Sequence, residues 1–191
     1  MSFVGGENPI FTCRPALALT SKVRFLFLRP ELDSWWYYKD ATNSGVLKWI
    51  PRPDVFPAGF GFDLGLPLVL HNRFWSPNNP YMTQYPFFYD GNGKVAVPAS
   101  HAFFHEEVMK DPASRWSMLT YEQDFLEASF QEDTVMQSNV TAGRTWLRAM
   151  DQAALSFNAS VQYCMSLPRY ILQSASLRSV LSARVSQDYN P

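Results

Sequence analysis

The chain has 191 residues, 47% of them apolar and many of those Phe, Tyr or Trp, enough for one buried core and too few for two of ordinary size. Its 16 Lys plus Arg nearly cancel 17 Asp plus Glu, and no basic run is interleaved with aromatics, which excludes the electrostatic footprint of a nucleic-acid binder. No stretch of about 18 uninterrupted apolar residues occurs, which excludes an ordinary membrane-spanning helix, and Asn8, Pro9 and Arg14 interrupt the opening run, so no signal peptide is read there and a soluble chain is expected.

In chain order, apolar β-prone runs alternate with helical patterns, the sequence form of βαβ units on a parallel sheet. A first strand is expected over 23–28, emptying into the aromatic-rich LDSWWYYKD, after which Asn43-Ser44-Gly45 and the proline-laden WIPRPDVFPAGF read as loop. A second strand is expected over 66–71, running into NRFWSPNNPY. Residues 87–89 and 94–97 flank Asp90-Gly91-Asn92-Gly93, whose types tolerate positive φ, so a small hairpin is expected. Ser100 can cap a helix reaching about Lys110, and Asp111-Pro112 is expected to stop it, because the residue before proline is pushed out of the helical region. A strand over 115–121 follows. In 143–157, Trp146, Leu147, Met150, Ala153, Ala154 and Phe157 recur at the three-four spacing of a helix with one buried face. Strands over 161–165 and 180–185 complete the series, with a short helix from Pro168 between them.

The fold class expected from this alternation is α/β, a partial TIM-type (β/α) barrel. The five strands fall short of the eight that close a barrel of about 250 residues. A single incomplete barrel domain over 1–191, from a truncated or partial product, is therefore expected. Cys13 and Cys164 lie far apart and outside any Cys-x-x-Cys spacing, so two free thiols are expected. His101 and His105 stand four apart on the expected helix but lack the His-Glu-x-x-His order, and neither a Gly-x-Ser-x-Gly elbow nor a phosphate-binding loop occurs. No metal or cofactor is expected. Asn139 and Asn158 match the glycosylation acceptor pattern, which leaves the compartment open.

In α/β barrels reactive groups sit at the C-terminal ends of the strands. That rule selects Asp33, His71, Arg73, Glu122, Asp124, Cys164, Arg184 and Asp188, crowded by Trp35, Trp36, Trp75, Tyr81 and Tyr121. Aromatic faces beside carboxylates suit a sugar ring, which has apolar C–H faces and hydroxyl edges. Glycoside cleavage needs two carboxyl groups, and Asp124 and Asp188 supply a pair from two different strands. Asp124 also begins Asp124-x-x-Glu127, the form of a capping box, so a helix-capping role stands beside the chemical one. Glu122 reads either as a substrate contact or as a salt-bridge partner of Arg184.

The stretch QYCMSLPRYILQSASLRSVLSARVSQDY resembles the strands carrying Cys-Met-Ser and Arg-x-Ser-Asp-Asp-Phe in the raffinose synthase and α-galactosidase group of retaining glycosidases. TYEQDFLEASF is similar to that family's nucleophile strand, Lys-x-Asp followed by a helix, with Glu122 in the place of its lysine. LDSWWYYKD resembles its Asp-Asp-Gly-Trp segment and DVFPAG its Phe-Pro-x-Gly, so the resemblance spans 33–191. It implies a retaining glycoside hydrolase or transglycosylase with Asp124 as nucleophile and Asp188 as general acid/base. It further implies Asp33, Trp36, His71, Arg73, Trp75, Glu122 and Arg184 at the substrate, a carbohydrate substrate, and no cofactor. The competing expectation is a non-catalytic carbohydrate-binding remnant or an inactive fragment.

Overall fold

The computed structural model describes residues 37–38, 45–50 and 67–184, and in these residues the chain is an α/β protein. Four strands, β3 (Leu68–Asn72), β6 (Met118–Gln123), β7 (Ser160–Tyr163) and β8 (Val180–Ala183), form one parallel sheet in the order β3-β6-β7-β8. Strand order follows chain order, and each crossover carries helix. Between β3 and β6 lies α1, a continuous run of His101–Phe103, the π-helical Phe104–Met109 and Lys110–Arg115. Helices α2 (Leu126–Gln131), α3 (Thr134–Ser138) and α4 (Ala142–Ser156) precede β7, and α5 (Pro168–Ser174) precedes β8. The first strand expected from the sequence, over 23–28, lies outside the described residues.

One face of the sheet is apolar because Leu68, Leu70, Tyr121, Val161 and Tyr163 alternate onto it, and all five are fully buried. They share a core with Phe104, Val108 and Met109 of α1 and with Trp146, Leu147 and Met150 of α4. Each such side chain contributes about 1.5–3 kcal/mol on leaving water. The opposite face carries Val69, His71, Thr120, Glu122, Ser160, Gln162 and Ser182, and a groove of about 310 Å³ runs over part of it.

Helix α4 matches the expected 143–157 to within one residue at each end, as its periodic apolar face requires. Ser100 caps α1 as expected, its hydroxyl accepting from the Phe103 N–H. The expected hairpin is also present: β4 (Phe87–Phe88) pairs antiparallel with β5 (Val97–Pro98). Gly91 takes φ 89° in the turn, and Asp90 Oδ1 accepts from the N–H groups of Asn92 and Gly93.

Two expectations are corrected. Pro112 does not stop α1, which runs on to Arg115. A proline inside a helix cannot donate to the carbonyl four residues back and crowds it. Here that carbonyl belongs to Val108, in the π-helical stretch, and the Trp49 indole N–H donates to it at 3.0 Å. The second correction adds two short strands that the sequence did not announce, one inside the aromatic tail and one between the two segments read as loop. β1 (Tyr37–Tyr38) pairs antiparallel with β2 (Val46–Lys48), and β2 is tied to the Trp75 segment through Val46 N–H to Phe74 O and Ser76 N–H to Val46 O. Gly45 is required there, because a Cβ would collide with the backbone of Trp75 and Ser76.

Candidate functional site

Four polar side chains converge at the C-terminal edge of the sheet, each from a different strand: His71 in β3, Asp124 just past β6, Cys164 just past β7 and Arg184 just past β8. The ladder continues past the strand ends to hold them, with Asp124 N–H bonded to Asn72 O, Cys164 N–H to Gln123 O and Arg184 N–H to Tyr163 O. A bulge places the last of these. Val161 pairs with Val180 but Gln162 pairs with Ser182, so Leu181 is the extra residue. Without that insertion Ala183, not Arg184, would stand beside Cys164.

The contacts run in a chain. His71 Nε2 lies 2.8 Å from Asp124 Oδ2, with both residues buried. Asp124 Oδ1 accepts the Phe125 N–H at 2.7 Å, and the Cys164 thiol also bonds to the Asp124 carboxylate. Arg184 Nε and its terminal nitrogen donate to Cys164 Sγ at 3.1 and 2.6 Å. Burial pushes the Asp124 pKa up, but the bonds from His71, Cys164 and Phe125 outweigh it and leave the carboxyl below its ordinary value. An ionised Asp124 requires His71 to carry its proton on Nε2. The Cys164 thiol is pushed up to about 12, first by burial and then by its bond to the Asp124 carboxylate, against Arg184. Burial and the neighbouring carboxylate thus favour the protonated thiol over the thiolate.

Phe125 and Met165, the residues immediately after Asp124 and Cys164, have φ of 54° and 49°. Left-handed backbone at a bulky residue costs about 1–2 kcal/mol. It turns the two loops together, so that Leu126 N–H meets Cys164 O at 3.4 Å and Glu127 N–H meets Met165 O at 3.0 Å. The Phe125 ring is held edge-on by Phe74 at 5.7 Å. Asp124 is consequently not the cap of α2. The residue flanking that helix is Phe125, which makes no side-chain cap bond, and the capping-box reading is corrected.

The sequence-selected residues divide as follows. His71, Glu122, Asp124 and Arg184 lie on one face at or near the row, and Glu122, in register with His71, is wholly buried. Arg73 lies one strand position beyond Asn72, with its guanidinium carbon 5.7 Å from the Phe125 ring centroid. Trp75 is corrected: it is 1% exposed and packs edge-on against Tyr81 and Phe103 within the aromatic core, so it offers no face to a ligand. Asp33, Trp36 and Asp188 lie outside the described residues.

Two residues at the site had no chemical role assigned from sequence. Cys164 links Asp124 to Arg184, which only the strand register reveals. Glu127 is raised above the ordinary glutamate value by burial, with the Asp124 charge adding to the shift. Asp124 and Glu127 are thus shifted in opposite directions from their usual values.

One atom each from His71, Glu122 and Asp124 lie within 4.8 Å of one another, the spacing of groups that could share a divalent cation. The chain matches no protein-family model, no curated protein and no solved structure.

Proposed function

We propose that this chain carries the nucleophile side of a retaining glycosidase centre, built on part of a (β/α) barrel. Four parallel strands in chain order, one apolar face under helices and one polar face, and polar groups gathered at the C-terminal edge are what such a barrel segment requires. The observation that carries the reading is Asp124, buried and held below its ordinary pKa at that edge by His71 and Cys164. The resemblance of TYEQDFLEASF to a nucleophile strand points to the same residue.

In this reading the Asp124 carboxylate attacks the anomeric carbon of a bound sugar while Asp188 protonates the departing oxygen. A glycosyl ester on Asp124 results. Asp188, now ionised, takes a proton from water as the water attacks, and the ester is released with the starting configuration. A sugar hydroxyl in place of water makes the same centre a transglycosylase. Cys164 and Arg184 fix the position of Asp124.

A second reading rests on the closeness of His71, Glu122 and Asp124: a divalent cation held there would activate water for hydrolysis. Hydrolysis of a panel of aryl glycosides, followed by proton NMR of the first-formed anomer, separates the two. Retained configuration, unchanged by a chelator, supports the glycosidase. Activity lost to the chelator and restored by added cation supports the metal centre. In the first case Asp124→Ala should lose turnover and regain it with azide, giving a product of inverted configuration.

A further inference from the structure

A cleft of about 500 Å³ opens between α4 and α5, lined by Val140, Arg144, Arg148, Arg169, Leu172 and Gln173. None of these belongs to the row at the strand ends. Arg144 and Arg148 stand four apart on α4, so their side chains leave the same face of the helix. Arg169 is the second residue of α5. Its guanidinium carbon lies 4.5 Å from the Phe130 ring centroid and 5.4 Å from that of Tyr170, contacts that fix the cation in place.

All three arginines are exposed, and among the described residues none is paired with a carboxylate. Two exposed carboxylates pair instead along α1, Glu106 with Lys110 and Asp111 with Arg115. Three like charges around one opening repel, and an anion seated among them relieves that repulsion. Arginine is also the side chain best shaped to take a carboxylate with two parallel bonds.

The same opening holds Val140, 88% exposed, and Leu172, 78% exposed, the two most exposed large apolar side chains among the described residues. A free inorganic anion would leave both in water. A peptide with acidic side chains around an apolar one would cover them while satisfying the arginines.

We propose that the cleft between α4 and α5 docks an acidic peptide segment of a partner protein, its carboxylates on Arg144, Arg148 and Arg169 and an apolar side chain against Leu172 and Val140. The probe is a fluorescein-labelled peptide with paired glutamates on either side of a leucine, titrated with the whole chain by anisotropy. Binding should weaken as salt is raised. The double variant Arg144→Gln/Arg148→Gln should weaken it by about ten-fold or more, Arg144→Lys/Arg148→Lys by less, and Leu172→Ser by about three- to ten-fold. These side chains are exposed, so thermal melts should be unchanged and loss of fold is checked directly. Peptide binding indifferent to the arginine variants, or absent, overturns the proposal. So does displacement by inorganic pyrophosphate with no effect of Leu172→Ser, which would mark a plain anion site. Binding of anionic lipid vesicles in preference to the peptide would assign the cleft to a membrane surface instead.

Discussion

His71 Nε2 meets Asp124 Oδ2 at 2.8 Å across 53 residues of sequence, and this bond leads the contacts that hold the carboxylate at the centre of the proposed site below its ordinary pKa. Burial alone would raise the Asp124 pKa; His71, with Cys164 and Phe125, brings it below the ordinary value. A depressed folded pKa contributes stability that is fully present above the unfolded value, about 3.9, and is lost as pH falls through the folded value. Carbon NMR titration of labelled aspartate should therefore show Asp124 ionising at lower pH than free aspartate. In His71→Ala the titration should move to higher pH, because the burial effect loses its largest opponent. An unmoved titration would mean that His71 does not hold the charge.

The Trp49 indole is expected to matter for stability through Val108 O, the carbonyl that Pro112 leaves without a helical donor. Trp49→Phe should cost about 1–3 kcal/mol beyond the lost ring area, the penalty of an unpaired buried acceptor. Pro112→Ala returns an N–H within reach of that carbonyl, so the Trp49→Phe penalty should shrink in the Pro112→Ala background. Denaturant melts of the four proteins in this cycle check it, and strict additivity would show that the indole bond contributes nothing.

Asp151, on the buried face of α4, accepts from the Ser179 N–H at 2.8 Å and the Ser179 hydroxyl at 2.6 Å, anchoring the chain just before β8. Asp151→Ala should destabilise by about 1.5–3 kcal/mol. Because Arg184 follows directly on β8, hydrogen exchange at 180–184 should rise more than in α4. Uniform change across both elements would mean that Asp151 acts on global stability alone.

The sequence made legible whatever local pattern controls. The three-four spacing from Trp146 to Phe157 located α4, the run around Leu70 located β3, and Asp90-Gly91-Asn92-Gly93 located the hairpin. It failed where a distant partner decides. Pro112 ends a helix by local rules, but a π-helical stretch and an indole from Trp49 let α1 continue. The edges of β1 and β2 were hidden because two- and three-residue strands have no period to read. Asp133 caps α3 by accepting from Val135 N–H, and that Asp-Thr signal was present but unread. At the site, the strand-end rule selected His71, Asp124 and Arg184 individually. Their connection through Cys164 depends on the Leu181 bulge, which nothing in VLSAR announces.

The central claim, that Asp124 is the nucleophile, is tested most directly by trapping its ester. Fluorosugar inactivators with good leaving groups slow the second step of a retaining glycosidase, so the glycosyl enzyme accumulates. After digestion, mass spectrometry should place one sugar on the peptide containing Asp124, and Asp124→Asn should take none. A sugar esterified to any other carboxylate, with Asp124 unmodified, would contradict the assignment.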